Sequence, residues 1–320
     1  MTRDLKDLKK QSKFPFMRDV MVDVICSNLE NNKNLFFLNV DQGSPNLDKY
    51  KEKYPKNIVH CGISEQNMMT VGCGLALEKN KVFCYGMAPF VTARCFEQIK
   101  ISLASLNVPV CIIGAGPGLG YADAGPTHYA TEDIGLMYTL PNCIIYTPSD
   151  WISCKVLTNK IINENNLTYL RIDRDAYPSV YERKDINYYD TTFKKGFNEI
   201  VNGEKVCVIS SGYLLHKILD IYQSKPQINF GIIDFYQHNP INKKELNKVL
   251  DKYGKIIIVD EQTEKINTST IIKNISSADN SSKIKSFNLK DRFVFENGGR
   301  DYLLEKNGIS FKNIASEINI

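Results

Sequence analysis

The chain has 320 residues, a length that predicts two domains of roughly 100–200 residues each. Apolar residues make up 43% of it, and 40 basic against 36 acidic residues give a formal charge of +4. That scattered excess forms no basic stripe, so we expect no nucleic-acid partner. No apolar run approaches the ~20 residues that a membrane span needs.

The N-terminal residues MTRDLKDLKKQSK are charged and lack the apolar segment of a secretory signal. Because the sequence begins with Met and a predicted helix follows, we expect a complete chain. The nine cysteines are odd in number, form no C-x-x-C pair and stand mostly in apolar runs such as VCII. They predict buried free thiols, without a disulfide framework or a zinc site. We therefore expect a soluble, cytoplasmic protein with no membrane partner.

Predicted strands and helices alternate along the first half of the chain. Short apolar runs predict strands over 35–41, 81–87, 108–115, 143–150 and 167–173, with another beginning at residue 57. Helical periodicity predicts helices over 16–31, 64–79, 90–105 and 130–140. Gly72 and Gly74 predict close packing of the second helix against a neighbour, because glycine weakens an exposed helix by about 1 kcal/mol. The alternation predicts a mostly parallel α/β sheet.

A second α/β unit follows a polar segment. Residues 183–197 are polar and without periodicity, which is typical of a linker. Further strands are predicted over 205–212, 229–235, 255–261 and 283–289, with helical patterns between them. The predicted fold class is α/β, with two consecutive three-layer α/β domains at 12–184 and 198–320 and a linker at 185–197.

The strand predicted at 108–115 ends in a glycine-rich loop, GAGPGLG. Its glycines fit neither the dinucleotide pattern G-x-G-x-x-G nor a P-loop, because no GK[ST] follows. A flexible turn is one interpretation. We favour a ligand-binding loop, because α/β proteins bind ligands at the carboxyl ends of parallel strands, and the motif GPTH at 125–128 closes this loop.

Glu65 stands at the predicted start of a helix, in GISEQNMM. On position alone it is a first-turn carboxylate favoured by the helix dipole, with Ser64 as a possible cap. The sequence blocks around it favour a functional role instead.

These blocks carry a resemblance to a known family. NVDQGSPN through GISEQNMMTVGCGLAL, then PFVTARCFEQI, GLGYADAGPTHYATEDIGLMYTLPN and YTPSD, resemble the pyrimidine-binding domain of transketolases, and deoxyxylulose-phosphate synthases share much of the pattern. SSGYLLHKILDIY, IIDFYQHNPIN and DRFVFENGGRDYLLEKNGIS resemble the C-terminal domain of the same families. The resemblance extends from about Pro15 to the end. It implies a pyrimidine-binding domain at 12–184 and a transketolase C-terminal domain at 198–320.

The resemblance implies three residues that contact thiamine diphosphate. In this family a glutamate hydrogen-bonds N1′ of the aminopyrimidine and promotes the tautomer that deprotonates the thiazolium, so that the cofactor becomes the electron sink for C–C cleavage. Glu65 matches this catalytic residue, and burial would favour the protonated form it needs. Phe90 matches an aromatic residue that stacks on the pyrimidine, and we favour this role over the alternative of ordinary core packing. Asp41 lies in a turn near the cofactor.

Three more residues are implied in substrate binding. His128, in GPTH, matches a catalytic histidine that contacts the sugar. Arg174 matches an arginine that grips the substrate phosphate, although a surface salt bridge is equally compatible with its position. The family carboxylate four residues before the histidine is Ala124 here, and we assign its role to the adjacent Asp123. This departure favours a specialised sugar.

Full-length transketolases bind Mg²⁺ and the diphosphate through a GDG…N stretch with hard oxygen ligands, and this sequence has no GDG. The resemblance therefore implies an N-terminal partner subunit that supplies this site. Thiamine diphosphate would lie between the chains of an α2β2 assembly that acts on a sugar phosphate. We predict no metal site in this chain and no activity without the partner.

Three alternatives stay open. The β subunit of a 2-oxo-acid dehydrogenase E1 component is also a separate chain with these two domains, and would act on a 2-oxo acid with a lipoyl acceptor. A deoxyxylulose-phosphate-synthase-like reaction is compatible with the same fold. A non-catalytic scaffold is the third, and the retention of Glu65, His128 and Arg174 argues against it.

Overall fold

The computed structural model describes residues 14–182, 184, 186–225 and 227–318. The strands are β1 (Leu35–Asn39), β2 (Ile58–His60), β3 (Lys81–Met87), β4 (Val110–Ala115), β5 (Ile144–Tyr146), β6 (Thr168–Ile172), β7 (Asn198–Val201), β8 (Val206–Ser210), β9 (Phe230–Asp234), β10 (Gln237–Asn239), β11 (Lys255–Thr263) and β12 (Ile284–Leu289). They form two sheets, each enclosed by helices.

The longer helices are α1 (Met17–Ser27), α2 (Pro45–Lys53), α3 (Glu65–Leu77), α7 (Trp151–Asn163), α9 (Gly212–Ser224), α10 (Lys243–Leu250), α11 (Thr268–Ile275) and α14 (Phe311–Ile318). The shorter ones are α4 (Ala88–Val91), α5 (Phe96–Gln98), α6 (Asp133–Tyr138), α8 (Ile186–Thr192), α12 (Ala278–Ser282) and α13 (Arg300–Lys306). Among the residues described, no helix combines the length and the apolar character that a membrane span requires.

The first sheet has the order β10-β5-β6-β4-β3-β1-β2 and is parallel except for β10. Every residue of β4 is buried, as expected of a strand covered on both faces. Side chains of β3 alternate between two cores, with Phe83 and Tyr85 packing towards α1 and α7, and Val82 and Cys84 packing towards α3. The predicted three-layer arrangement follows from this alternation.

The second sheet has the order β12-β11-β8-β9-β7, with only β7 antiparallel among its described strands. Val208 of β8 packs towards α9, and its neighbour Cys207 packs towards α10. The predicted fold class of two mostly parallel, three-layer α/β units is therefore confirmed. β10 was not predicted: it follows β9 in sequence but adds an antiparallel edge to the first sheet, so a segment from the second half of the chain completes the first sheet.

The helix predicted over 90–105 is wrong as a single element. It is divided into α4, α5 and a π-helical segment at Ile99–Ala104. The hydroxyl of Thr92 donates to the carbonyl of Ala88 at 2.7 Å, and the thiol of Cys95 donates to the carbonyl of Phe90 at 3.1 Å. Side-chain donors thus take carbonyls that a continuous helix would use, which interrupts it.

Two smaller expectations are also resolved. The segment predicted as an unstructured linker contains α8, whose Tyr189 packs against the first core. The domain bounds stay a prediction. All nine cysteines are free thiols, and eight of them are buried, whereas Cys61 is partly exposed.

Candidate active site

Glu65 lies where β2 passes into α3, and it is the first residue of that helix. Its carboxylate is buried, with 4% of the residue exposed. The predicted cap by Ser64 is wrong, because its hydroxyl donates instead to the carbonyl of Cys61 at 2.5 Å. The Ser64 hydrogen bond therefore stabilises the turn before α3, and Glu65 lies in the first helical turn, where the helix dipole favours a negative charge.

The close packing predicted for the glycines of α3 is confirmed at one of them. A Cβ at Gly72 would lie 2.9 Å from Sγ of Cys84, so only glycine lets α3 approach β3 here. At Gly74 the prediction is wrong for the described chain, because a Cβ there would meet nothing within 4 Å. Gly72 therefore fixes the height of α3, and of Glu65, above the sheet.

Arg94 connects Glu65 to Phe90. Its Nη1 donates to Oε2 of Glu65 at 2.9 Å, and its guanidinium carbon lies 4.1 Å from the centre of the Phe90 ring. The arginine side chain is 44% exposed, whereas the Glu65 side chain is 5% exposed. A half-exposed cation thus compensates a buried carboxylate and covers an aromatic face.

The glycine-rich loop brings His128 to the same place. Its ring centre lies 5.1 Å from that of Phe90 in an edge-on arrangement, and 6.1 Å from that of Tyr121. The Thr127 hydroxyl is 2.9 Å from Nδ1 of His128, which fixes the orientation of the ring. The loop follows β4, a parallel strand, as predicted.

Tyr121 links the loop to two other elements. Its hydroxyl accepts a hydrogen bond from Nε2 of Gln42 at 2.9 Å, and the guanidinium carbon of Arg174 lies 5.0 Å from its ring centre. Burial raises the pKa of Tyr121, so the hydroxyl stays protonated. A Cβ at Gly116, whose φ is +73°, would lie 2.1 Å from this ring, so glycine is required there.

Arg174 and Asp123 form an exposed ion pair at the edge of the cluster. Nη1 of Arg174 lies 2.7 Å from Oδ1 of Asp123, and 44% and 72% of the two side chains are exposed. This pair lowers the pKa of Asp123, chiefly through the hydrogen bond from Arg174. Both candidate interpretations of Arg174 therefore remain compatible with its position, because an exposed salt bridge is readily exchanged for a phosphate.

A cavity of about 390 Å³ lies between α4 and the end of the loop. Phe90 and Arg94 line one side of it, and Pro126, Thr127 and Glu132 line the other. Burial raises the pKa of Glu132. The cavity therefore combines an aromatic face, a cation and a partly buried carboxyl, which suits a flat polar ligand.

Five of the six residues selected from the sequence are joined by contacts in this cluster: Glu65, Phe90, Asp123, His128 and Arg174. Asp41 is not. It is exposed in the turn after β1, and no hydrogen bond or ion pair joins its side chain to the described part of the chain.

Sequence reasoning missed Arg94, Tyr121 and Gln42. Arg94 stands four residues after Phe90 in a segment predicted as helical, and that spacing predicted a contact, although in the structure α4 ends at Val91 and Arg94 lies in the turn that follows. No comparable signal indicated Tyr121. The orientation of a side chain in a loop depends on tertiary contacts, which follow no periodic pattern in the sequence.

The chain resembles known proteins over most of its length. The family description "Transketolase, pyrimidine binding domain" matches residues 15–180. A protein of Phocaeicola vulgatus, named as one of the subunits of an apulose-4-phosphate transketolase, is 27% identical over 302 residues, which are 91% of this chain and 94% of that protein. Human transketolase is 26% identical over 220 residues, which are 66% of this chain but only 34% of the human protein.

A solved structure described as a split-gene transketolase in an inactive β4 tetramer shares this fold. It superimposes with a TM-score of 0.81 at 22% sequence identity, covering 95% of this chain and 97% of that one. The family match spans the sheet that carries the cluster of Glu65, Phe90 and His128. The chain therefore belongs to the transketolase family, whose pyrimidine-binding domain it contains.

Proposed function

We propose that this chain is the pyrimidine-binding subunit of a two-subunit transketolase that uses thiamine diphosphate and Mg²⁺. The observation that carries the proposal is the buried carboxylate of Glu65 beside the ring of Phe90, with His128 across the ring edge. The lengths of the relatives support a second chain. The chain spans 94% of the Phocaeicola relative, which is itself named as one subunit of an enzyme, but only 34% of human transketolase.

The residues present fit the aminopyrimidine of thiamine diphosphate. Glu65 offers a buried acceptor, and Phe90 offers an aromatic face beside it. Arg94 contacts both groups, so a ring that bonds Glu65 and stacks on Phe90 takes over both contacts from a half-exposed side chain. Bound thiamine diphosphate supplies the carbon nucleophile and the electron sink for C–C cleavage.

Each residue of the cluster has a distinct part in the proposed reaction. In place of its contact with Arg94, the Glu65 carboxyl would exchange a proton with N1′ of the bound pyrimidine. His128 lies on the loop side, where it donates to or accepts from hydroxyls of the sugar. Arg174 takes the substrate phosphate with its guanidinium, which Tyr121 supports from below. Asp41 stays a predicted cofactor contact on an exposed turn.

The substrate class follows from the rim of the site. The Arg174 guanidinium suits the phosphate of a phosphorylated ketose. Asp123 is the carboxylate that pairs with this guanidinium. Because Ala124 replaces the family carboxylate, we propose a donor whose hydroxyl pattern differs from that of xylulose 5-phosphate. The name of the Phocaeicola relative makes apulose 4-phosphate one such donor to test.

The test is co-expression with a chain that carries a GDG…N motif, followed by purification of the pair as an α2β2 assembly. Ketol transfer is assayed with thiamine diphosphate, Mg²⁺, xylulose 5-phosphate and apulose 4-phosphate. Glu65→Gln is the test variant, and Glu78→Gln is its matched control, because it makes the same change at the other, exposed end of α3.

We expect turnover by the pair, none by either chain alone, a loss of at least about 100-fold in Glu65→Gln and no loss in Glu78→Gln. Decarboxylation of a 2-oxo acid without ketol transfer would replace the proposal by an E1β function. Condensation of pyruvate with a triose phosphate would indicate a synthase. Equal activity of the Glu65→Gln and Glu78→Gln variants would indicate that the chain is a non-catalytic scaffold.

A further inference from the structure

The 118–130 loop, which we define as Gly118 to Ala130, is a closed unit. Gly118 and Ala130 exchange two backbone hydrogen bonds of 3.0 and 2.9 Å, which tie its ends together. Tyr121, Asp123 and His128 lie on it. The loop begins at the carboxyl end of β4 in the first sheet, yet its ends contact the second sheet.

Three consecutive residues at the end of β11 hold both ends of the loop. Glu261 accepts a hydrogen bond from the backbone N–H of Leu119 at 3.0 Å. Nε2 of Gln262 donates to the carbonyl of Ala130 at 3.1 Å. The N–H of Thr263 donates to the carbonyl of Thr131, also at 3.1 Å. β11 pairs with β8 only at 255–258, so these three residues extend past β8 towards the loop, while Thr263 still pairs with Leu289 of β12.

Apolar contacts also connect the 118–130 loop to the second sheet. Leu119 and Tyr129 are buried in the core of the second sheet, in the cluster that contains Val294 and Leu303. Two side chains of the loop therefore belong to the second unit, although the rest of the chain around them belongs to the first. Detaching the loop would expose both of them to water.

Arg300, at the start of α13, supplies the charge that keeps Glu261 in place. Its Nη2 donates to Oε2 of Glu261 at 2.8 Å, and its Nη1 donates to Oδ2 of Asp173 at 2.8 Å. Nη2 also reaches the carbonyl of Pro117 at 3.3 Å. Side-chain exposure is 10% for Arg300, 7% for Glu261 and 2% for Asp173. A buried guanidinium thus joins β6, β11 and the beginning of the loop.

We call the contacts of Arg300 with Glu261 and Asp173, together with Gly118 beside them, the junction. Its atoms are closely packed. A Cβ at Gly118 would lie 2.0 Å from Oε2 of Glu261 and 2.6 Å from its Cβ. The cavity that remains beside Arg300 and Glu261 is about 20 Å³, which is room for about one water. Charged groups that are so little hydrated keep a defined geometry, because separating one of them from its partner would leave an uncompensated buried charge.

We propose that Glu261 and Arg300 are positioning residues of the active site: from the second unit, they hold the 118–130 loop so that His128 lies against Phe90 and Asp123 lies against Arg174. The proposal rests on the proposed function for the reaction itself. It gives the second unit a part in substrate binding, although no residue of that unit contacts Glu65 or Phe90 in the described part of the chain.

The first experiment measures the loop directly, by amide hydrogen exchange on the full chain. The test variant is Glu261→Gln. The matched control is Asp234→Asn, which also replaces a buried carboxyl of the second sheet that bonds to the first unit, through Ser149 and Tyr181, but contacts no residue of the loop. We expect exchange at 118–130 to rise about tenfold or more in Glu261→Gln and to stay within about twofold of the parent chain in Asp234→Asn.

The second experiment uses the assembled pair with its partner subunit. We expect Glu261→Gln to raise the KM for the ketose phosphate roughly tenfold to a hundredfold, with thiamine diphosphate affinity within about twofold of the parent, because Glu65 and Phe90 lie on other elements. Arg300→Lys, which keeps the charge, should retain more of the parent KM than Arg300→Met.

The two measurements separate the two proposals. Unchanged loop exchange in Glu261→Gln, or an equal rise in both carboxyl variants, would overturn the positioning role. An unchanged KM, or a parallel loss of cofactor affinity, would overturn it as well. If the pair shows no ketol transfer while the exchange difference persists, the loop is held as described, and the transketolase function is what fails.

Discussion

Asp173 and Arg174 are neighbours in the chain after β6, and their side chains enter opposite environments. Asp173 is 2% exposed and pairs with Arg300 between the two sheets. Arg174 is 44% exposed and pairs with Asp123 at the rim of the candidate site, next to Tyr121. The chain bends at residues 174–175, directly after β6, and the two side chains diverge there, so one short segment contributes to both the junction and the candidate site.

The two environments differ in how readily water or a ligand can replace a charged partner. At the junction, charges are desolvated, and each has more than one partner, which makes replacement by water unfavourable. At the rim, water can replace either member of the pair, so a phosphate can do so too. This contrast agrees with our two proposals, in which the junction positions the loop and the rim binds the substrate.

The largest expected effect comes from breaking the junction. Arg300→Ala leaves Glu261 and Asp173 buried without their cation, and we expect the free energy of unfolding to fall by about 3–5 kcal/mol. Arg174→Ala makes the same chemical change at the rim, where we expect a loss of at most about 1 kcal/mol. Urea denaturation of both variants measures the contrast. Similar losses would show that the junction is more hydrated than its geometry indicates.

A second prediction compares two buried carboxyls of the second sheet, Glu261 at the junction and Asp234 away from it. Glu261 has a guanidinium partner, whereas Asp234 accepts hydrogen bonds from the hydroxyls of Ser149 and Tyr181. Burial raises the pKa of Asp234 from an ordinary 3.8 to about 7. The folded chain therefore binds a proton more tightly than the unfolded chain does. This contribution to stability is fully present below pH ~4 and is lost as the pH rises through ~7.

We expect this group to reduce the free energy of unfolding by at most about 4 kcal/mol between pH ~4 and ~7. Asp234→Asn imitates the protonated form, with one donor and one acceptor, so it removes this part of the pH dependence. Urea titrations of the parent and the variant at several pH values measure the difference in slope. Parallel curves would mean that Asp234 is ionised throughout the range.

Much of the fold could be predicted from the sequence, because strands buried on both faces are continuous apolar runs such as VCIIGA. β10 could not be predicted in this way. Its residues, Gln237–Asn239, are polar, and they become a strand only because the edge of β5 is available to them. The divided helix after Ala88 was missed for a similar reason, since its periodicity is helical and local side-chain bonds override it.

The candidate site was predictable where a motif fixed a residue at the end of an element. Glu65 begins α3 and His128 closes the loop, and both positions could be taken from the sequence. The junction could not, because Glu261 and Arg300 are distant in the chain from the loop they hold. Nothing in their local sequence distinguishes them from surface charges, and only their burial identifies them.

A smaller loss of stability is expected when two glycines of the 118–130 loop are replaced. Both have positive φ, +60° at Gly118 and +81° at Gly125, so alanine at either is strained by about 1–2 kcal/mol. At Gly118 the added methyl also meets Glu261, whereas at Gly125 it meets nothing within 4 Å. We expect Gly118→Ala to be less stable than Gly125→Ala by about 1–3 kcal/mol in urea denaturation. Equal values would place Glu261 away from the loop.

The smallest effect on stability is expected at the rim. Asp123→Asn removes the charge that pairs with Arg174, and because both side chains are exposed we expect the free energy of unfolding to change by less than about 1 kcal/mol. In the assembled pair, the KM for the ketose phosphate should rise by roughly three- to tenfold, because the carboxylate both orients the guanidinium and accepts from a sugar hydroxyl. Asp175→Asn, one residue beyond Arg174, is the matched control and should leave the KM unchanged. A lower KM in Asp123→Asn would show instead that the carboxylate competes with the phosphate for Arg174, and would remove Asp123 from the substrate-binding residues.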